Sequence, residues 1–136
     1  MRVLAIDHGT VRMGIAMSDE FKMIAQPLEF IPAVPFSGFL DRLRELLREY
    51  EVELILLGMP RNMDGSYGEA SLKVRDFEAV LKNSITVPMK TWDERLTSVQ
   101  ANRVLSEGRA KKKKKRQNVD AIAAAILLQS YLDSLA

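Results

Sequence analysis

The sequence predicts an α/β layer fold, with an antiparallel hairpin at one side of an otherwise parallel sheet. Three observations carry this. Strand-like segments come first and in a row; the hydrophobic period then changes from two to that of a helix; and from there helices alternate with short apolar strands. A chain of 136 residues is one domain, 1–136, long enough to bury roughly two-thirds of its unfolded surface.

Taken in order, residues 2–7 (Arg-Val-Leu-Ala-Ile-Asp) form an apolar run of strand length, and Arg12 to Ser18 alternates Met13, Ile15 and Met17 with Gly14, Ala16 and Ser18. The short Gly9-Thr10 connection makes these two a hairpin. Residues 24–31 supply a third strand, placed at or near an edge because Pro27 lacks the N–H that a central strand needs. Phe36, Phe39, Leu40, Leu43, Leu46, Leu47 and Tyr50 then mark one stripe of an amphipathic helix. A buried strand spans 53–58, a second helix carries Ala70, Val74, Phe77 and Leu81, and residues 85–92 form a further strand. Thr97 and Gln100 have the spacing of a capping box, so a helix is expected from there to Gly108, and Asn118 is placed to cap a last helix ending near Leu135. Right-handed crossovers make strands 1, 4 and 5 parallel. Their C-terminal ends then share one rim, where open α/β sheets bind ligands.

Composition narrows the function classes. An apolar fraction of 47% suffices for a core, and no apolar run reaches the roughly 18–20 residues of a membrane span. The start resembles a strand rather than a targeting leader, and the lack of cysteine excludes disulfides and thiolate metal sites, which together lead us to expect a cytoplasmic protein. Seven of the 20 cations fall between Gly108 and Gln117: Arg109, Lys111, Lys112, Lys113, Lys114, Lys115 and Arg116. The rest of the chain carries 13 cations against 18 acids, so the basic character belongs to one segment. Such a run is either a solvated loop or an arm that binds phosphates by counterion release.

Three places carry candidate chemistry. Asp7 ends an apolar strand and is followed by Gly9, a pattern that suits a turn, a phosphate loop or a metal ligand. His8, the one histidine, belongs to the opposite sheet face by strand alternation and reads as structural. Asp120 is the lone charge in the apolar helix segment 119–128; the helix dipole accounts for it in part, and a metal ion is a good partner for a carboxylate at the mouth of a buried helix. Asp93-Glu94-Arg95 follows strand 5, and only one of the two acids should face Asp7. Glu94 is the favoured one, with Asp93 still open.

The segments AIDHGTVRMGIAMSD (5–19), LLGMPRNMDGSYG (56–68), TWDERLTSVQANRVL (91–105) and NVDAIAAAILLQSYL (118–132) together resemble the YqgF family, also called RuvX: bacterial Holliday-junction resolvases of the RNase H-like superfamily. The match runs in order over nearly the whole chain. The resemblance implies a five-stranded RNase H-like sheet of order 3-2-1-4-5 with strand 2 antiparallel, flanked by helices. It also implies an acidic site of Asp7, Glu94 and Asp120. The run of five lysines is richer than the family's usual basic segment.

Hard oxygen donors point to Mg²⁺ or Mn²⁺ rather than zinc. The expected chemistry is phosphodiester hydrolysis with one or two ions, about 4 Å apart if two, activating a water and stabilising the departing 3′ oxygen. Arg12, Arg95 and the Lys111–Arg116 arm are the expected phosphate contacts. Gly58-Met59-Pro60-Arg61 and Asp64-Gly65 are expected to shape the rim. Family resemblance offers two substrates, the 5′ end of precursor 16S rRNA and four-way DNA junctions. A resolvase needs a dimer and an rRNA nuclease can act alone, so the expectation is an rRNA-processing monomer or weak homodimer. Two rivals remain: a non-catalytic nucleic-acid-binding module, and an actin-like or sugar-kinase ATPase. The second is disfavoured because those enzymes enclose nucleotide between two such domains.

Overall fold

The structure is a computed structural model and describes residues 1–60, 64, 68–94 and 119–135. Its elements are β1 (Arg2–Asp7), β2 (Arg12–Ser18), β3 (Ala25–Pro32), α1 (Phe36–Glu49), β4 (Val52–Met59), α2 (Glu69–Ser84), β5 (Met89–Asp93) and α3 (Val119–Ser134). The five strands form one sheet of order β3-β2-β1-β4-β5, as expected. β1 pairs antiparallel with β2 and parallel with β4, and β4 pairs parallel with β5. β3 is an edge strand, so Pro27 withholds no N–H that a central strand would need.

Strand alternation divides the sheet into two unlike faces. Leu4, Ile6, Met13, Ile15, Met17, Ile55 and Leu57 point to one side, where they pack against Phe39, Leu43 and Leu46 of α1 and Val74, Phe77 and Leu81 of α2. Val3, Ala5, Ala16 and Leu56 point to the other, beneath Ala124, Leu127, Leu128, Tyr131 and Leu132 of α3. The α3 side is built from smaller residues, and the helix lies close on it. A side chain at Gly14 would run into the backbone carbonyl of Asp120. Gln129 ties α3 to the β2–β3 connection, its Oε1 accepting from the Ala25 N–H at 2.9 Å and its Nε2 donating to the Met23 carbonyl at 3.0 Å. At the other side, Trp92 Nε1 donates to Ser130 Oγ at 3.2 Å.

The expected elements recur with three adjustments. Ser71, not Ala70, is the buried residue of the first turn of α2, and its hydroxyl donates to the Gly68 carbonyl at 2.7 Å. A serine satisfied by its own helix start can occupy a core position that apolar periodicity does not mark. β5 begins at Met89 rather than 85: Ile85 still closes α2 through its N–H to the Leu81 carbonyl, and Pro88 has no N–H to offer. α3 is apolar nearly all round, yet Ile122 and Ile126 are only half-buried, because the sheet covers one side of the helix. The expected helix from Thr97 to Gly108 and the Asn118 cap lie outside the described residues.

Candidate active site

The rim formed by the C-terminal ends of β1, β4 and β5 gathers the acidic residues. Asp7 is the last residue of β1 and pairs in register with Gly14. On β5, Lys90 and Trp92 lie on the α3 side, and the same alternation carries one residue beyond the strand to Glu94, whose N–H donates to the Met59 carbonyl at 3.2 Å. Glu94 thereby lies over Gly58. A side chain at that position would strike the Glu94 carboxyl and Leu127. The β5 register thus brings Glu94, one residue past Asp93, to Asp7.

Asp7 and Glu94 are hydrogen-bonded to each other through their carboxyls, which requires a proton between them. Burial pushes Glu94 up to about 8, and the charges of Asp7 and Asp93 add to the shift. Asp7 is also raised, first by burial and further by the charge of Asp120, with the hydrogen bond to Glu94 acting in the opposite direction. The pair therefore keeps a proton to higher pH than a free carboxyl would.

Asp120 enters from α3, where the contact of its backbone with Gly14 fixes the helix start on β2. Its carboxylate pairs with Arg12, Nε to Oδ2 at 3.0 Å, and the Arg12 guanidinium lies 5.5 Å from the centre of the Phe30 ring. Among the described residues, no three His, Cys, Asp or Glu side chains are gathered tightly enough to hold a metal ion. The donor set nevertheless suits a hard divalent cation. Two carboxyls are pressed together at the expense of a retained proton, and the charge of a third reaches Asp7; a cation would relieve that repulsion.

His8 falls on the face opposite Asp7, packed at a tilt against Phe77 of α2 with ring centres 5.0 Å apart. Burial and the charge of Lys73 hold it below the usual histidine range. Next to it a cleft of about 310 Å³ opens between Thr10, Gly58, Pro60, Lys73 and Glu94. Lys73 had no signal in the sequence beyond its helical position. Arg95 and Lys111 through Arg116 lie outside the described residues, as do Arg61 and Gly65 of the expected rim turn.

An RNase H-like sheet bearing acidic residues on its C-terminal rim defines the class. Thermus thermophilus RuvC in complex with a Holliday junction substrate has this fold, with a TM-score of 0.54 and 20% identity, covering 99% of this chain and 96% of that one. Fowlpox virus resolvase in complex with junction DNA shares it at a TM-score of 0.54 and 13% identity, covering 99% of each chain. Sequence narrows the class to a family: residues 1–134 match the RuvX model, described as Holliday junction resolvase, and the chain belongs to that family. Among its relatives are proteins named "Putative pre-16S rRNA nuclease". That of Halothermothrix orenii is 44% identical, covering 98% of this chain and 95% of its own. That of Clostridium acetobutylicum is 43% identical, covering 99% of this chain and all of its own.

Proposed function

We propose that this protein is a divalent-metal-dependent endonuclease that trims the 5′ end of precursor 16S rRNA, with Asp7, Glu94 and Asp120 as its catalytic and metal-holding carboxylates. The observation that carries the reading is the buried Asp7–Glu94 pair with Asp120 beside it, an arrangement costly to a fold unless a cation uses it. The names of the relatives support rRNA as the substrate. The chemistry supplied by a bound Mg²⁺ or Mn²⁺ is a lowered pKa for the attacking water and charge neutralisation at the departing 3′ oxygen.

The chain's own residues do the rest. Asp7 and Glu94 would hold the ion, Glu94 releasing its proton to solvent water in exchange for it. Gly58 leaves the space that Glu94 occupies, and Gly14 lets α3 deliver Asp120 to the same rim. Arg12 holds the phosphodiester backbone together with Arg95 and Lys111, Lys112, Lys113, Lys114, Lys115 and Arg116, which follow β5 in the sequence; such contacts position a strand without reading its sequence. The protein acts in the cytoplasm as a monomer or weak homodimer. Among the described residues no helix is long and apolar enough to cross a membrane.

Junction cleavage is the second reading, favoured by the family's description and by the RuvC-like fold. The two are separated by incubating a precursor 16S 5′ leader and a synthetic four-way junction side by side with Mg²⁺ or Mn²⁺. The proposal expects trimming of the leader, lost in Asp7→Asn while binding persists. Cutting of the junction alone would reverse the ranking, unchanged trimming by Asp7→Asn would sink the three-carboxylate site, and binding without cleavage of either substrate by the wild type would leave a non-catalytic binding module.

A further inference from the structure

Arg12 stands at the start of β2, two residues from Gly14 and on the same face of the sheet. Its Nε contacts Asp120 at 3.0 Å while half of its side chain is exposed, and Phe30, the register partner of Gly14, lies under the guanidinium. This cation therefore sits between an acid of the site and the solvent from which a nucleic acid would approach. A guanidinium on an aromatic platform can change partners without leaving the ring, and its planar fork matches a phosphate as well as a carboxylate.

We propose that Arg12 is an exchangeable counter-ion. Without nucleic acid it neutralises Asp120; when a strand crosses the rim it moves onto a phosphate and frees Asp120 to join Asp7 and Glu94 around the metal. The inference rests on the nuclease reading and adds a coupling to it. Asp120 stripped of Arg12 repels Asp7, so the exchange is favourable only when a cation replaces the guanidinium. Phosphate binding and metal binding then assist each other by the same factor. Arg12 acts through Asp120 and is a positioning residue: it keeps the third carboxylate satisfied, and the metal loosely held, until substrate arrives.

The exchange predicts a non-additive pair. The probe is a short phosphorothioate RNA oligomer, with binding measured in EDTA so that no metal takes part. Asp120→Asn releases Arg12 and tightens binding by roughly two- to fivefold, the range expected from a partly exposed ion pair. The salt dependence steepens by roughly 0.7, one added phosphate contact on a single strand. In an Arg12→Gln background the same Asp120→Asn change produces neither effect. Equal tightening in both backgrounds would mean general charge removal and overturn the proposal, as would no tightening in either. In a second measurement without nucleic acid, Mg²⁺ raises the melting temperature of Arg12→Gln more than that of the wild type; a smaller rise contradicts the exchange. Wild-type cleavage together with equal tightening defeats this inference alone, whereas absence of both cleavage and oligomer binding defeats the nuclease reading beneath it.

Discussion

The two faces of the sheet come from the same strands yet are built for different purposes. On the α1–α2 face, large side chains interlock: Phe36, Phe39 and Phe77 meet edge to face or tilted, His8 packs at a tilt against Phe77, and Leu, Ile and Met side chains fill the remainder. On the α3 face, Ala5, Gly14, Ala16 and Gly58 lie beneath Ala121 and Ala124, so helix and sheet approach closely and the rim is left to carboxylates. Bulk on the first face supplies stability. Smallness on the second gives up part of it so that Asp7, Glu94 and Asp120 share one rim although more than a hundred residues separate the first from the last.

Substitutions that probe each face should part activity from stability. The largest effect is expected from Asp7→Asn on the rim: cleavage falls to background, nucleic-acid binding remains, and the metal-free protein becomes more stable because a buried charge is gone, as read by a melting curve in EDTA. Phe39→Ala on the opposite face is expected to lower stability by about 3–5 kcal/mol in urea unfolding, the range for a fully buried phenylalanine, with the cleavage rate per folded molecule unchanged. Gly58→Ala falls between the two kinds. Its added methyl meets Glu94 and Leu127, so a loss of about 1–3 kcal/mol should come with reduced cleavage, and a variant that lost stability alone would show that Glu94 does not need that space.

The smallest effect is that of pH on the metal-free protein. Glu94 titrates near 8 when folded and near 4.5 when unfolded, so between those values the folded state holds the extra proton. This contribution to stability is therefore fully present below about 4.5 and is lost gradually as pH rises towards 8. Glu94→Gln should flatten that slope in denaturant unfolding across the same window.

Much of this architecture is legible in the residues because each face of a strand leaves its own period. β1, β2, α1 and β4 follow from alternation and stripe alone, and Pro27 marks β3 as an edge. Asp7 and Asp120 stand out as charges in apolar surroundings. Glu94 is favoured over Asp93 already in the sequence, and the end of β5 shows which of them lies towards Asp7: the Glu94 N–H remains bonded to Met59 and keeps the strand's alternation for one more residue. Gly14 carries no such signal and Gly58 only that of a turn at the rim: what they accommodate is a carbonyl and a carboxyl from distant parts of the chain. The Arg12–Asp120 pair is equally non-local, and the sequence reading assigned its two members to separate roles.

The central claim is that the rim holds a divalent cation through its carboxylates. The direct test is a Mg²⁺ titration near pH 8 followed by melting temperature, comparing the wild type with Asp7→Asn and Glu94→Gln. The account predicts a concentration-dependent rise in the wild type, since a ligand bound only by the folded state stabilises it, and little or no rise in either variant. An equal rise in all three, or no rise in the wild type, would contradict it.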